Sequence, residues 1–191
     1  MNNKFWLDRY TSLRKNGIVG SMSYGDEFQD RVNIFFTNIK DVLKIKTCGT
    51  LVDFGCGTAK YAKLLKEHFK CKKYIGIDII DFLIDDNIEK LPGYEFRVYD
   101  KTIPKADIIF MASLFQHMDD KEVVSTLKKF KTALIPKGKV YIIDFVGDHP
   151  NDDYTYYRNV EEHAELITNS GLSGKVVYRD DNNMVVIECK K

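Results

Sequence analysis

No stretch of this 191-residue chain holds the ~20 consecutive apolar residues that a membrane span requires. A charge excess is missing too: Lys+Arg total 29 against Asp+Glu 28, a net charge of +1. Nucleic-acid affinity rests on phosphate neutralisation, so this balance speaks against a dedicated nucleic-acid binder. Prolines number only four, and with 13% aromatic residues a mostly disordered chain is excluded. Cysteine is scarce and scattered: Cys48, Cys56, Cys71 and Cys189 form no C-x-x-C pair, which disfavours a zinc site or redox motif. They read as reduced thiols of a cytoplasmic protein. The opening Met1–Arg9 acquires an acid and an arginine before any apolar h-region, unlike a signal peptide. There is no internal repeat, low-complexity tract or linker. What is left is one compact domain, long enough to bury its core without disulfides or a structural metal.

Two helical patterns come first. Phe5, Trp6, Leu7, Tyr10 and Leu13 recur at near-helical spacing, and after a Gly/Ser-rich break Phe28, Val32, Phe35, Phe36, Ile39, Val42 and Leu43 mark a longer amphipathic helix with Asp26 as its N-cap. From Thr50 the pattern changes to short apolar runs that alternate with helical segments. The runs are 51–54, 74–77, 94–99, 108–111 and 140–145; the helices are 60–69, a short one near 82–88, and 121–134. Several runs are continuous rather than alternating, as in strands covered on both faces. Such β-α alternation predicts a parallel sheet. A helix near 160–170 then precedes the runs 175–178 and 184–189, which flank Asp180-Asp181-Asn182-Asn183 and read as a hairpin. The pattern predicts an α/β domain of seven strands, the last antiparallel.

The most informative segment is Leu51-Val52-Asp53-Phe54-Gly55-Cys56-Gly57-Thr58-Ala59-Lys60, a strand running into a glycine turn and a helix. Gly55 and Gly57 permit positive φ and let a ligand press on the backbone. A dinucleotide fingerprint would place a third small residue where Lys60 stands, and no G-K-[ST] follows, which excludes a P-loop. The carboxylate of Asp53 at the strand tip opposes a pyrophosphate and suits a ligand carrying an ammonium and a sulfonium. About 20 residues on, Tyr74-Ile75-Gly76-Ile77-Asp78 ends a second strand in a carboxylate, placed to bind ribose hydroxyls or to cap the next helix. A third strand ends in Asp100, which either accepts from an exocyclic adenine amine or serves as a solvated turn residue.

Taken in order, Asp53-x-Gly55-x-Gly57-x-Ala59, Asp78 and Asp100 resemble the class I S-adenosylmethionine-dependent methyltransferases. The stretch Ala106–Met111 with Ser113-Leu114-Phe115-Gln116-His117 resembles that family's fourth motif, and Leu134-Ile135-Pro136-Lys137-Gly138-Lys139 matches its usual approach to strand five. Ala59 stands where a third glycine is frequent. The resemblance implies a Rossmann-like, seven-stranded, mostly parallel sheet with a C-terminal antiparallel hairpin and helices on both faces. It implies S-adenosyl-L-methionine as cofactor, its methionine moiety at Gly55–Gly57, ribose on Asp78 and adenine near Asp100. Cys56, Ile79 and Ser113 join that cofactor-contacting set. Within one domain over 1–191, residues 1–45 would form a helical lid and 50–191 the cofactor-binding core; no metal is called for.

For the acceptor, methyl transfer to a hydroxyl benefits from a general base, and histidine suits neutral pH. His117, just past strand four, is the first candidate, with a structural histidine as the alternative. Asp144, at the end of strand five, is the second, with loop capping as the alternative; His149 is a third. Trp6-Leu7-x-Arg9-Tyr10 followed by Gly17-x-x-Gly20-Ser21-x-Ser23-Tyr24-Gly25 resembles the opening of small methyltransferases found with glycan-assembly enzymes. That resemblance makes Tyr10, Ser21 and Tyr24 a lid over the cofactor, with packing of the first helix on the sheet as the alternative for Tyr10. Tyr154-x-Tyr156-Tyr157-Arg158 matches the same group's His/Arg-rich stretch loosely, and Asn151, Asp152 and Asp153 suit sugar hydroxyls. The expectation is O-methylation of a sugar hydroxyl on a glycan or glycoconjugate, in association with or as part of a glycosyltransferase. A protein or RNA methyltransferase and a non-catalytic cofactor-binding partner are the alternatives.

Overall fold

The computed structural model describes residues 3–16, 25–44, 47–147 and 155–191. Helices α1 (Asn3–Lys15) and α2 (Gly25–Ile39) come first; the second already includes Asp26, which therefore lies inside the first turn and is not its cap. The core then runs β1 (Thr50–Phe54), α3 (Ala62–Phe69), β2 (Lys73–Asp78), α4 (Asp81–Lys90), β3 (Glu95–Val98), β4 (Ala106–Ala112), a 3-10 turn (Phe115–His117), α5 (Asp120–Ala133), β5 (Leu134–Phe145), α6 (Val160–Asn169), β6 (Ser173–Arg179) and β7 (Met184–Lys190).

The strands form one seven-stranded sheet in the order β3-β2-β1-β4-β5-β7-β6. Its first five strands are mutually parallel, while β7 runs antiparallel to both β5 and β6. The expected mostly parallel sheet with a reversed last strand is therefore what forms. Its central strands are buried on both faces, which is why their sequences are apolar without a break. One face packs Val52, Ile109 and Ile142 under Leu127 and Phe130 of α5 and Ile167 of α6. The other packs Leu51, Ile108 and Phe110 under Phe36 of α2, Leu65 of α3 and Ile84 of α4. Among the described residues no helix is long and apolar enough to cross a membrane.

Local signals set the ends of the elements that matter for the cleft. At α5, the Asp119 carboxylate accepts from Glu122 N (2.8 Å) while Glu122 Oε2 accepts from Asp119 N (3.2 Å), a reciprocal capping box. Asn159 and Glu162 repeat it at α6. The Leu134–Lys139 stretch is a kinked entry to β5: Leu134 pairs with Ala106, Lys139 already pairs with Ile108, and Lys137 adopts φ +67°. Helix α1 lies against α4, with the Arg14 guanidinium over the Phe82 ring (5.0 Å) and 3.6 Å from the Asp86 carboxylate.

Candidate active site

The parallel strands β1, β2 and β4 end side by side, and their carboxyl ends floor a cleft of about 340 Å³ roofed by Trp6 and Tyr10 of α1. This is where open α/β sheets take ligands. A larger, more open groove of about 1480 Å³ runs between α5 and α6, but it contains neither the glycine turn nor a strand-end carboxylate of β1 or β2. The chemistry is concentrated in the smaller cleft.

Its floor is the glycine turn. Gly55 and Gly57 take φ +75° and +51°, and a Cβ on Gly55 would stand 2.7 Å from Leu114 Cδ2. Gly57 faces the Tyr10 hydroxyl, 3.7 Å from where its Cβ would be. Two side chains on neighbouring elements hold the turn. Gly57 N donates to Asp78 Oδ2 (2.8 Å), and Asn87 Nδ2 of α4 donates to Gly57 O (2.7 Å). Asp78 Oδ1 accepts from Ile80 N (3.1 Å). A carboxylate offers about four lone-pair directions, so Asp78 can still receive a ligand hydroxyl.

Asp53 lies deeper, 3% exposed, and accepts from the Tyr74 hydroxyl at 2.6 Å. Burial pushes its carboxyl up to about 7 and the nearby Asp78 adds to the rise, although the Tyr74 hydrogen bond works against it. Asp78 is raised as well, by burial, and the backbone N–H groups it accepts oppose that. Cys56, between them, has its thiol pushed well above the ordinary range by burial and by both carboxylates. On the opposite lip, Lys60 is lowered to about 8 by burial, and the Tyr10 phenol is raised, first by burial and then by Asp78. Two polar atoms here are buried with no hydrogen-bond partner: the Thr58 hydroxyl, which lines the cleft, and Nε of Arg9, next to Tyr10 on α1.

The structure brings Tyr10, Asp53, Gly55, Cys56, Gly57, Asp78, Ile79, Ser113 and His117 to this cleft. Ser113 stands at the end of β4 with φ +52°, a backbone state unusual for a side-chain-bearing residue and typical of sites. His117 meets the Trp6 ring edge-on at 4.7 Å and lies 3.1 Å from the Gln116 amide nitrogen at its own Nε2.

Two expected site residues fall elsewhere. Asp100 is exposed beyond the end of β3, and its carboxylate accepts from the backbone and hydroxyl of Thr102, which lowers it below the ordinary range; its neighbour Tyr99 lines the cleft instead. Asp144 is 1% exposed and absent from the cleft wall, because Oδ2 faces His163 Nε2 at 3.2 Å and Oδ1 accepts from Phe145 N. A carboxylate sealed in this way has no route to an acceptor. Tyr24, Ser21, His149, Asn151, Asp152, Asp153 and Tyr154 lie outside the described residues. Cleft residues that the motif reading passed over include Trp6, Thr58, Lys60, Tyr99, Leu114 and Gln116. Trp6 and Thr58 sit inside quoted motifs and were within reach; Tyr99 carried no signal.

Residues 52–140 match the family model described as a methyltransferase domain. The chain superimposes on DhpI in its SAH complex with a TM-score of 0.77 and 16% identity, over 98% of this chain and 96% of the other. Human N-acetylserotonin methyltransferase in complex with SAM gives 0.73 and 14%, over 86% and 53%. Residues 52–140 are therefore similar to a methyltransferase domain, on a fold shared with structures solved with SAH or SAM. Similar proteins include strychnine O-methyltransferase of Strychnos nux-vomica, 28% identical over 162 residues, 73% of this chain and 45% of that one. Eugenol O-methyltransferase of Ocimum basilicum is 35% identical over 118 residues, 60% and 31% respectively. The match thus spans 31% to 45% of the length of these relatives. The chain's cleft fits the cofactor chemically: the buried Asp53 and half-buried Asp78 carboxylates suit cationic and ribose groups, and the unpartnered Thr58 hydroxyl lies on the glycine turn.

Proposed function

We propose that the chain moves a methyl group from S-adenosylmethionine to a hydroxyl oxygen of a small acceptor, with His117 as the base. The observation that carries this reading is that one cleft holds both the Asp53/Asp78 carboxylates and the imidazole of His117. When bound, the cofactor supplies a methyl group on a sulfonium; the chain's own residues do the rest. Asp53 meets the ammonium end, Asp78 and Ile79 the ribose, and Tyr99 lies along the rim where Asp100 was expected. The Thr58 hydroxyl, buried in the cleft without a partner, offers a hydrogen bond to the carboxylate end. Tyr10, Cys56 and Ser113 close the walls. His117, in the same cleft, takes the proton of the acceptor hydroxyl as its oxygen attacks the methyl carbon, the Gln116 amide giving way to the acceptor. The C–S bond electrons leave with sulfur.

The relatives' names, strychnine and eugenol O-methyltransferase, support an oxygen acceptor on a small molecule, and the Trp6 and Tyr10 rings beside His117 give such an acceptor an aromatic wall. A sugar hydroxyl is the second reading, favoured by the Trp6-x-x-Arg9-Tyr10 motif, and partnership with a glycosyltransferase belongs to that reading alone. It loses the support of Arg158, which is buried.

The decisive experiment offers methyl-labelled cofactor with phenolic, glycan, protein and RNA acceptors. Label in a phenol supports the first reading and label in a glycan the second. Transfer only to protein or RNA, or no transfer despite tight cofactor binding, overturns both. His117→Gln should lower turnover by about 100-fold or more while leaving S-adenosylhomocysteine affinity within twofold.

A further inference from the structure

We propose that Arg158 is a positioning residue for methyl transfer: its buried guanidinium grips the 115–118 turn and so fixes how His117 presents its ring to the cleft. The inference rests on the role given to His117 above.

Arg158 is 4% exposed, yet its side chain carries a full charge. Nη1 donates to Phe115 O at 3.0 Å, Nη2 to Met118 O at 2.7 Å, and Nη2 and Nε to Asp120 Oδ1 at 2.8 and 3.0 Å. The two carbonyls bracket His117 on either side. Only a planar fork of donors can reach both and the carboxylate at once; a lysine, with its donors at one point, cannot. The Asp120 side chain is 72% exposed, so water screens that ion pair and the carbonyl contacts carry the specificity. The backbone of the same segment adds to the splint. Tyr156 N donates to Gln116 O at 2.7 Å, and Gly147 N, just past β5, donates to Arg158 O at 3.2 Å. Thus the carbonyls of Phe115, Gln116 and Met118 are all held by residues 156–158. The Asp144–His163 pair reinforces the far side, where the His163 ring stacks on Phe115 at 6.5 Å. The Tyr156-Tyr157-Arg158 motif therefore faces the base-bearing turn from behind.

A residue that only stiffened the fold would change stability and nothing at His117. The chain holds a reporter that separates the two cases, because Trp6 is its single tryptophan and touches the His117 ring. A protonated imidazole in contact with an indole quenches its emission by accepting an electron from the excited ring. In the wild-type protein, Trp6 emission should fall as pH is lowered through the His117 titration, and His117→Gln should remove that step. Arg158→Lys should fold, bind S-adenosylhomocysteine within twofold of wild type by calorimetry, and lose at least half of the Trp6 step. Its turnover on the acceptor found in the labelled-methyl screen should fall about 10- to 100-fold, the cost of a base misplaced by about an ångström. If Arg158→Lys does not fold by circular dichroism, Asp120→Ala carries the test: it removes the acceptor of Nη2 and Nε, one of three anchors, at an exposed side chain and should give an intermediate step.

An unchanged Trp6 step in the folded variant overturns the proposal, whatever happens to turnover. So does a wild-type step that His117→Gln leaves intact. If no acceptor is methylated, the proposed activity fails, while the Trp6 step still decides whether Arg158 holds His117.

Discussion

Asp53 sits in an environment that a carboxylate disfavours. A carboxyl raised to about 7 in the ligand-free cleft is half protonated near neutrality, whereas a cationic ligand end needs it ionised. Binding must therefore expel a proton below that pH, and affinity must rise with pH through about 7. Calorimetry with S-adenosylhomocysteine should show a dissociation constant roughly tenfold weaker at pH 6 than at pH 7.5, with protons released to the buffer. Asp53→Asn should bind more weakly and flatten the profile. Tyr74→Phe, which removes the hydrogen bond that lowers the carboxyl, should move the step to higher pH. The same shift has a stability consequence of opposite sense in the empty protein. Because the folded value lies above the unfolded one near 3.9, Asp53's contribution is fully present below about pH 4 and lost as pH rises through about 7. At this scale the sequence was legible where strand geometry constrains a side chain. Asp53 and Asp78 belong to strands and point where alternation sends them. Asp100 lies two residues past the end of β3, where nothing enforces alternation, and Tyr99 took the place in the cleft.

Elements were readable in proportion to how much of their signal is local. The doubly buried strands announce themselves as apolar runs, and α5 and α6 carry their capping boxes in four consecutive residues each. Contacts between distant elements left no such trace. Nothing near Asn87 says that its amide holds Gly57 O, thirty positions away, or that Asp144 turns from the cleft to His163. Arg158 stood out only as part of a loose motif match, because its carbonyl partners lie some forty positions away. The cap of α5 matters here because its N-cap residue, Asp119, directly follows Met118 of the His117 turn. Asp119→Ala leaves backbone donors at the first turn unpaired and should cost about 1 kcal/mol. For a chain of this size that is a fall in melting temperature of about 2–4 °C, read by circular dichroism. Glu122→Ala, which loses the reciprocal bond alone, should fall by less.

For the whole molecule, the cleft couples cofactor binding to the fold, because its groups come from separate stretches of chain. Trp6 and Tyr10 come from α1, Asp53 from β1, Asp78 from β2 and His117 from the turn after β4, all converging on one ligand-sized space. A ligand that fills it bridges α1 to the sheet and binds only the folded state. S-adenosylhomocysteine at a hundredfold its dissociation constant should therefore stabilise the chain by about 2.7 kcal/mol. That corresponds to a rise in melting temperature of about 5–10 °C. Asp78→Ala removes both the ribose acceptor and the partner of Gly57 N, so the rise at that same ligand concentration should shrink to a degree or two. Trp6→Ala, on the roof, should retain most of it. If Asp78→Ala shifts as far as the wild type, the ligand is not seated on the ends of β1 and β2. With a net charge of +1 and a cofactor held by buried groups, the wild-type shift should also change little between 50 and 500 mM salt. A shift that collapsed with added salt would instead place the ligand on exposed charges, outside the cleft that Asp53 and Asp78 define.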